Sequence, residues 1–325
     1  MNEDQLISAI AALQDGLPRV LVGIGDDAAV WQPSRSNRSV ISTDALVEDV
    51  HFSRAWMSLE EIGWRAMAAN LSDLAAMAAR PRLATVALGV PQEWNGQMVL
   101  DLYAGLTGCA KSYGLAIAGG DLVRAPLLTV AITVVGEVRA SNLKTRAGAH
   151  PGDVLATTGR LGASRAGLEV ARGDVQIEQP FKDEALCAHR TPRPRIAEGR
   201  WLGARRAVRA MMDCSDGLST DLARMMRASR TGARIERVPV AQSAAAAARA
   251  LGLEPDGYAL AGGEDFELLI AVEARSFEHL AGQFQRRFGR PLERVGVVRA
   301  DEHLVVVNQG RDEPLVRTGW DHFSA

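Results

Sequence analysis

Residues 23–30 read GIGDDAAV and follow the short apolar run of residues 20–22, so a glycine-bearing loop comes directly after a predicted strand. A Gly-x-Gly-x-x-Ala loop in this position can also mark a dinucleotide site, where a long helix receives the pyrophosphate. Here Pro33 and several turn-forming residues follow within about ten positions, which rules out a long helix. Asp26 and Asp27 would also face the pyrophosphate without a counter-charge. The stretch therefore argues against a dinucleotide-binding fold and favours a metal site.

Strand-like and helix-like segments alternate on both sides of this loop and through both halves of the 325-residue chain. The mixture predicts the α/β or α+β class, and the length suits two compact lobes. A polar, glycine-bearing segment, RASNLKTRAGAHPGD (139–153), is the best candidate for a boundary. We expect an N-terminal lobe over residues 1–145 and a C-terminal lobe over residues 146–325.

Four local patterns predict secondary structure. Ser58 followed by Glu61 is a capping box, and its helix should run to about Arg80, before Pro81. Glycines and a proline predict that GGDLVRAP (119–126) is a turn between two strands. YALAGGEDFELLIAV (258–272) resembles strand, turn and strand, and the proline-bearing residues 176–194 are expected to be irregular.

Composition and charge narrow the class of function. The hydrophobic share of 47% and the charged share of 23% are ordinary for a soluble globular protein. A net charge of −2 provides neither a basic footprint for nucleic acid nor an anchor for an anionic membrane. No signal peptide or membrane span is recognisable, and the three cysteines lack metal-ligand spacing. We expect a cytoplasmic protein that binds neither nucleic acid nor membrane.

Acidic residues recur at predicted turns beside glycine or other small residues in both halves of the chain. They are Asp26, Asp27, Asp44, Asp73, Asp121, Asp213, Asp216, Glu264 and Asp265. Loops after strands can aim carboxylates into a shared cleft, and carboxylate and hydroxyl oxygens are ligands that Mg²⁺ prefers. Without a cation these carboxylates would repel each other. The repeated pattern therefore indicates divalent metal and phosphate chemistry, although each acid alone is more simply a turn former or helix cap.

Other catalytic patterns are absent from the sequence. It contains no Walker loop, no protein-kinase signature set and no Gly-x-Ser-x-Gly elbow. The phosphates of a nucleotide would then be held through metal, through backbone amides of GGD (119–121) or GRLGAS (159–164), and by a basic residue such as Arg146. A lone histidine such as His51 is most often structural, and an aromatic tail such as GWDHF (319–323) most often packs onto the protein.

Taken in chain order, these motifs resemble the thiamine-monophosphate kinase family. The resemblance is carried from Gly23 to Phe323 by GIGDDAAV, STDALVEDVHF, NLSDLAAMAARP, GGDLVRAP, TRAGAHPGD, DCSDGLSTDL, GGEDFELL and GWDHF. That family belongs to a superfamily of ATP-using enzymes with aminoimidazole ribonucleotide synthetase, selenophosphate synthetase and a hydrogenase maturation protein. The resemblance implies a two-lobed PurM-like fold, in which the N-terminal sheet pairs with its twin in a homodimer and ATP binds near that interface.

The resemblance also assigns roles to matching positions. Magnesium contacts fall on Asp27, Ser42, Thr43, Asp44, Asp73, Asp121, Asp213 and Asp216. ATP contacts fall on Gly120, Asp121, Arg146 and Ser215. Contacts with thiamine monophosphate fall on His51, Glu264 and Trp320. Similar sequences often carry tyrosine at the last of these positions, so Trp320 keeps a ring for stacking on a cationic heterocycle but loses a hydroxyl.

The implied reaction is direct in-line phosphoryl transfer from ATP to thiamine monophosphate, in the biosynthesis of thiamine diphosphate. Several Mg²⁺ ions take part, and the need for a monovalent cation is left open. The acceptor phosphate has a second pKa of about 6, so it is largely dianionic at neutral pH and needs no general base. The acids are therefore expected to hold metal rather than to move protons.

Two alternatives stay open. One is another enzyme of the superfamily, of which aminoimidazole ribonucleotide synthetase is the hardest to exclude. The segment before GIGDD lacks the cysteine expected of selenophosphate synthetase, and the ending DHFSA lacks the cysteine expected of the hydrogenase maturation protein. The other alternative is a non-catalytic protein that binds magnesium or nucleotide. Release of ADP that depends on thiamine monophosphate would exclude it.

Overall fold

The structure is a computed structural model that describes residues 3–14, 19–22, 24 and 29–319. The chain divides into two compact units, of which the first is Met1–Leu74 with Ala79–Ser141 and the second is Ala75–Ala78 with Asn142–Ala325. Both units mix helices and strands, which confirms the predicted α/β class. Within the described ranges, no helix has both the length and the apolar character that a membrane span requires.

The first unit is built around a four-stranded sheet. Its elements in chain order are α1 (Glu3–Ala12), β1 (Val20–Val22), β2 (Val30–Trp31), β3 (Asn37–Val47), α2 (Leu59–Ala76), β4 (Arg80–Val90), α3 (Gly96–Ser112), β5 (Ala116–Arg124) and β6 (Thr129–Arg139). Strands β1 and β2 form a separate antiparallel pair. The larger sheet has the order β3-β6-β4-β5, with β6 antiparallel to both neighbours and β4 parallel to β5. The predicted site residues of this unit that the structure describes lie on that sheet and on α2, except His51, which lies between β3 and α2.

One face of the four-stranded sheet is buried and the other is exposed. Ile132 and Val134 of β6 point to the buried face and are fully buried. Side chains alternate between the two faces of a strand. The residues between those of the buried face point to the opposite side of the sheet, which we call the open face. It is defined by Ile41, Thr43, Ala45, Ala87, Asp121, Val123 and Thr133. Ile41 is 68% exposed and Val123 is 50% exposed, so the open face presents apolar surface to solvent.

Helix α2 begins as its sequence predicts. Glu61 N donates to Ser58 Oγ at 3.2 Å, and Ser58 N donates to Glu61 Oε2 at 2.8 Å, which confirms the capping box. The expected end near Arg80 is wrong, because the helix ends at Ala76 and Arg80 begins β4. Ala78 adopts a left-handed backbone with a φ of 58°, which stops the helix. Pro81 lies inside β4, where the pairing with β6 shifts register before Leu83.

The second unit is built around a seven-stranded sheet with the order β13-β12-β9-β11-β7-β10-β8. Its elements are β7 (Val154–Thr157), α4 (Ala163–Arg172), α5 (Phe181–Arg190), α6 (Ile196–Gly203), β8 (Val208–Asp213), α7 (Leu218–Ser229), β9 (Gly232–Ile235), α8 (Gln242–Ala250), α9 (Pro255–Ala261), β10 (Leu268–Val272), α10 (Phe277–Phe288), β11 (Glu293–Arg299), β12 (Leu304–Asn308) and β13 (Arg311–Pro314). Strand β10 is buried along its whole length. It pairs antiparallel with β7 on one side and β8 on the other.

The predicted turn at GGDLVRAP is wrong in its first part, since residues 119–124 belong to β5. Parallel pairing with β4, from Thr85 opposite Gly119 to Val90 opposite Arg124, supplies partners that local turn propensity does not anticipate. A Cβ added at Gly120 would lie 2.0 Å from Val86 O. The glycine is therefore needed for close approach of two strands rather than for a turn.

Two further predictions of secondary structure are wrong in the second unit. Residues 258–261 are helical rather than extended, in a helix that begins with Pro255 at its first turn. Tyr258 of that helix is buried, and its hydroxyl donates to Glu169 Oε2 at 2.6 Å. The region expected to be irregular contains α5, which lies so close to α4 that a Cβ at Gly167 would be 2.1 Å from Ala185 O. Tertiary packing overrides the local signals at both places.

Candidate functional site

Ser42, Asp44 and Asp73 lie where β3 runs beside α2. Ser42 and Asp44 are two positions apart on β3, so their side chains share the buried face of the sheet. Ser42 Oγ donates to Asp73 Oδ2 at 2.5 Å, and Asp44 N donates to Asn70 Oδ1 at 3.1 Å. The Asn70 side chain is itself fixed, because its amide donates to Ala66 O at 3.0 Å. Hydroxyl and carboxylate oxygens are thus collected between one edge strand and α2.

Thr43 and Asp121 lie on the open face of the same sheet. Thr43 Oγ1 donates to Ile132 O at 3.0 Å and lies 3.2 Å from Thr133 Oγ1. Asp121 pairs with Ala87 in the parallel register, so its side chain follows that of Ala87 away from the buried face. Its Oδ1 accepts from Leu122 N at 2.9 Å. The sheet therefore separates these two predicted magnesium ligands from the Ser42–Asp73 pair.

His51 lies in the turn after β3 with a defined ring orientation. Its backbone N–H donates to Val47 O, and its Nδ1 accepts from Val47 N, both at 3.0 Å. Since Nδ1 acts as an acceptor, the proton of the neutral imidazole is on Nε2. The turn thus gives the ring a hydrogen-bond donor at Nε2, which suits a phosphate oxygen.

In the second unit, Asp213 ends β8, and Ser215 and Asp216 follow in the loop before α7. The buried carboxylate of Asp221 holds this loop, since its Oδ2 accepts from Ser215 N and from Asp216 N, both at 3.0 Å. Arg224 Nη1 donates to Asp221 Oδ1 at 3.0 Å and also contacts the Asp216 carboxylate. Sequence analysis missed Asp221; an acid in the first turn of a helix that follows DCSDG was the available signal.

The loop that carries Glu264 lies against the loop that carries Ser215. Glu264 N donates to Ser215 O at 2.7 Å, and Phe266 N donates to Cys214 O at 3.0 Å. Glu264 and Phe266 have left-handed backbones, with φ values of 64° and 51°, which are costly for residues other than glycine. The interloop bonds hold that conformation, and they bring the predicted positions Ser215 and Glu264 together.

Several carboxylates lie near the thiol of Cys214. Cys214 and Cys109 are buried, whereas Cys187 is exposed. Burial raises the pKa of the Cys214 thiol well above its usual value, and nearby negative charges, that of Asp221 first, raise it further. Burial and then the charge of Asp216 raise the pKa of Asp221 to about 7. The Arg224 guanidinium offsets part of the negative charge of this region, because it pairs with both Asp216 and Asp221.

Two more acids, the half-buried Asp265 and the buried Glu267, adjoin this region and differ in their electrostatics. Burial raises the pKa of Asp265 to about 7, although its carboxylate accepts from Gly162 N at 2.6 Å and from Ser164 N at 3.1 Å. Burial also opposes the charged form of Glu267, but Arg195 and Arg290 outweigh it and lower the pKa of this carboxyl. Glu267 is therefore a compensated structural anion, whereas Asp265 ties the GGED loop to the N-terminus of α4.

The remaining predicted residues are less constrained. Arg146 is exposed on a segment beside β8, where Ser229 Oγ donates to its carbonyl oxygen at 3.1 Å. The described tail reaches α7, because Thr318 N donates to Ser219 Oγ at 3.2 Å. A Cβ at Gly319 would lie 2.1 Å from Asp216 O. Trp320 and Asp27 lie outside the described residues, as does Asp26.

The donor chemistry in both units fits magnesium. Ser42, Asp44 and Asp73 offer hard oxygen atoms in the first unit, as Asp213 and Asp216 do in the second. Among the residues that the structure describes, no three or more histidine, cysteine or acidic side chains are grouped closely enough to hold a metal ion. The predicted ligands are divided between the two units and the undescribed Asp27.

Comparison with known proteins identifies relatives along nearly the whole chain. Two family models match, AIR synthase related protein, N-terminal domain, over residues 25–138, and AIR synthase related protein, C-terminal domain, over residues 150–308. The thiamine-monophosphate kinase of Synechococcus elongatus is 36% identical over 313 residues, which cover 92% of this chain and 91% of that protein.

Solved structures give the same result. The crystal structure of thiamine-monophosphate kinase from Stenotrophomonas maltophilia K279a matches with a TM-score of 0.81 at 30% identity, covering 95% of this chain and 96% of that one. The structure of AaThiL complexed with AMPPCP and TMP matches with a TM-score of 0.78 at 28% identity, covering 99% of this chain and 97% of that one. Both matches extend over the two units.

Proposed function

The chain belongs to the thiamine-monophosphate kinase family, and on that basis we propose that it transfers a phosphoryl group from ATP to thiamine monophosphate. The products are ADP and thiamine diphosphate. The observation that carries this proposal is the match along 99% of the chain to a relative complexed with AMPPCP, an ATP analogue, and TMP. The family resemblance expected from the motifs is confirmed by these relatives.

The main barrier to this reaction is electrostatic repulsion between donor and acceptor. The acceptor phosphate is largely dianionic at neutral pH, because its second pKa is about 6, so no residue needs to remove a proton. Two like unit charges about 4 Å apart repel by about 4 kcal/mol at an effective dielectric constant of about 20. The residues of the chain therefore contribute by holding the two phosphates in line and by excluding water.

Magnesium, when bound, supplies positive charge that offsets the repulsion and the charge developing on the departing ADP. We assign its binding in the first unit to Ser42, Asp44 and Asp73, which share one face of β3 and α2. In the second unit we assign it to Asp213 and Asp216. The family resemblance also implies Asp27, Thr43 and Asp121, of which Thr43 and Asp121 lie on the opposite face of the sheet. Asp221 acts on the backbone of the loop rather than on the metal.

Substrate contacts follow from the chemistry of the remaining residues. The donor at Nε2 of His51 suits the phosphate of thiamine monophosphate. The carboxylate of Glu264 and the ring of Trp320 suit its cationic heterocycle. Ser215, Gly120 and Arg146 are the proposed contacts of ATP. The short bond between Glu264 N and Ser215 O supports this assignment, because it joins the loops that carry proposed contacts of both substrates.

The open face of the four-stranded sheet is the proposed interface of a homodimer. Ile41 and Val123 are 68% and 50% exposed, and the small side chains of Thr43, Ala45 and Ala87 lie between them in the alternating pattern. Exposed apolar side chains on an open sheet face suit a protein–protein interface. The proposed location is the cytoplasm, since the reaction consumes ATP.

One assay separates this proposal from its alternatives. Purified protein with ATP and Mg²⁺ is offered thiamine monophosphate, free thiamine or formylglycinamidine ribonucleotide in separate reactions. We expect ADP and thiamine diphosphate with the first substrate only, and loss of turnover after chelation of Mg²⁺. Turnover with free thiamine would make it a different kinase, and turnover with the ribonucleotide would assign it to the synthetase reaction. No turnover with any of them would favour a non-catalytic binding protein.

A further inference from the structure

A polar pocket with a volume of about 540 Å³ opens in the first unit, where β1, β2 and the ends of β3 and β6 meet. Small-molecule sites typically have volumes of about 300 to 1,000 Å³. Three arginines, Arg19, Arg35 and Arg139, line it together with neutral residues, and no acidic residue of the described ranges does. We call it the arginine pocket. None of the described residues assigned to phosphoryl transfer lines it.

The positive charge of the arginine pocket is not neutralised within the described part of the chain. There, the side chains of Arg35 and Arg139 make no ion pair and no hydrogen bond. Arg19 Nη1 donates to the neutral Ser34 Oγ at 2.7 Å. Three full positive charges therefore converge on a space whose other described lining residues are neutral, an arrangement that attracts anions.

The buried acid behind the pocket, Glu137, is already satisfied. It accepts from Ser34 N at 2.5 Å, from Ser34 Oγ at 2.8 Å and from Arg82 Nε at 2.8 Å. Burial opposes its charged form, but these bonds outweigh burial and lower the pKa of Glu137. Glu137 with Arg82 is thus a closed pair that anchors the turn before β3, and among the described residues it makes no direct ion pair with the three pocket arginines.

The backbone also holds the pocket in an unusual conformation. Arg19 has a φ of 68°, in the left-handed region that residues other than glycine rarely adopt. Its carbonyl oxygen accepts from Gln32 N at 2.9 Å, which fixes Arg19 beside the turn that carries Ser34 and Arg35. A strained residue that its surroundings hold in place is typical of functional sites.

The arginine pocket is separate from the Ser42–Asp73 pair. Asn37 of the pocket is paired with Arg139 at one end of the β3–β6 ladder. Ser42 is five positions further along β3, which corresponds to roughly 17 Å in an extended strand. A ligand in the pocket would therefore not occupy the place of the proposed magnesium ligands of β3 and α2.

We propose that the arginine pocket binds the diphosphate group of a small anion, at a site separate from that of phosphoryl transfer. Guanidinium groups match phosphate oxygens with paired hydrogen bonds, and three of them suit the three negative charges of a diphosphate group. Inorganic diphosphate, ADP and thiamine diphosphate share this group. The inference does not depend on the proposed function, because it rests on the charges of the first unit alone.

The test uses inorganic diphosphate as the probe and calorimetric titration in EDTA, which suppresses phosphate binding through metal. We expect saturable binding at one site per chain, and binding at least about tenfold weaker in the double variant R35Q/R139Q. The matched control is R38Q/R80Q, which removes two exposed arginines of the same sheet that do not line the pocket. Its affinity should match that of the unaltered protein. Circular dichroism and Tm verify that each variant is folded.

ADP and thiamine diphosphate are titrated in the same way. The ligand whose affinity falls most in R35Q/R139Q is the one whose diphosphate group the pocket binds. Unchanged affinity of R35Q/R139Q for all three ligands would overturn the proposal. An equal loss of affinity in R38Q/R80Q would also overturn it, because it would indicate a general effect of positive surface charge. Kinase turnover at saturating substrates should be unchanged in R35Q/R139Q. A loss of turnover there would place the pocket within the catalytic site and would contradict a separate site.

Discussion

Asp221 shows how one buried carboxylate can organise a loop that carries proposed site residues. Its two oxygens accept from the backbone N–H groups of Ser215 and Asp216 and from Arg224. Those N–H groups would otherwise lack a partner at the start of α7. The loop that carries Ser215 and Asp216, just after Asp213, therefore depends on a residue in the helix that follows it.

Replacing Asp221 by asparagine should lower both activity and stability. The amide oxygen can still accept from both backbone N–H groups, but the amide N–H group then faces the Arg224 guanidinium, and Arg224 keeps only Asp216 as a counter-charge. We expect kcat to fall at least about tenfold and the free energy of unfolding to fall by about 1 to 3 kcal/mol. Steady-state kinetics and urea denaturation measure these effects. The control is D174N, in an exposed pair with Arg172, which should change stability by less than about 0.5 kcal/mol.

Replacing Asp73 by asparagine should separate metal binding from folding. Asparagine can still accept from Ser42 Oγ, so the free energy of unfolding should change little. Loss of the charge should reduce kcat at least about 100-fold, which corresponds to about 2.7 kcal/mol of transition-state stabilisation. The assay is turnover over a range of Mg²⁺ concentrations, with the exposed D101N on α3 as control. Full turnover of D73N at saturating Mg²⁺ would remove Asp73 from the proposed ligands.

For single residues, the sequence predicted which residue types belong to the candidate site better than it predicted the contacts that those residues make. Acids beside glycine singled out Asp213 and Asp216, but nothing in the pattern marked Asp221 as the residue that holds their loop. Asp44 and Asp121 look alike in sequence, yet they lie on opposite faces of one sheet. The face depends on strand register, which is fixed by pairing over long sequence separations.

Among the elements, α2 matters most for the first unit, because it carries both Asn70 and Asp73. Its start is fixed by the reciprocal bonds of Ser58 and Glu61. Its body packs so closely on α3 that a Cβ at Gly63 would lie 2.1 Å from Leu102 O, and one at Gly105 would lie 1.9 Å from Glu60 O. The position of Asp73 relative to β3 is therefore determined at both the end and the side of the helix.

Removing the cap should destabilise the first unit measurably. In S58A the backbone N–H of Glu61 loses its acceptor, and we expect a loss of about 1 kcal/mol of stability. Differential scanning calorimetry should show a lower Tm. The control is S112A, since Ser112 Oγ only donates back to Gly108 O near the end of α3 and caps no N-terminus. An equal decrease in Tm for both variants would contradict a specific role for the capping box.

Local sequence patterns predicted an element correctly where residues close in sequence determine its ends. They failed where contacts with residues distant in sequence determine the element. The capping box of α2 needs only residues three positions apart. The extension of β5 through Gly120 and Asp121 depends instead on β4, and helix α9 depends on contacts such as that of Tyr258 with Glu169. Such pairings are invisible in a window of a few residues.

For the whole molecule, the most consequential surface is the open face of the four-stranded sheet. In a homodimer with twofold symmetry, a residue on this face approaches the same face of the partner subunit. Asp121 lies on β5 at one edge of this face, whereas Ile41 lies on β3 at the other edge. A new charge at the position of Ile41 would be buried against apolar side chains of the interface, which is strongly unfavourable. Two-lobed organisation and family were recognisable from motifs spread over the chain, whereas which sheet face stays open was not.

Replacing Ile41 by aspartate should therefore yield monomers. Light scattering coupled to size-exclusion chromatography measures the molar mass of I41D beside that of the unaltered protein. The control is L253D, because Leu253 is also an apolar side chain on the surface, 46% exposed, but it lies in the second unit. We expect a dimer for L253D and for the unaltered chain. A dimeric I41D would place the interface elsewhere.

The three cysteines differ in solvent exposure, so their reaction with a thiol reagent can report the unfolding of the protein. Cys187 is accessible, whereas Cys109 and Cys214 are buried and hold their protons tightly, Cys214 among the acids of the DCSDG loop. A maleimide should thus attach once to the native chain and three times in denaturant. The slow second and third attachments would time the exposure of each unit separately, Cys109 for the first and Cys214 for the second.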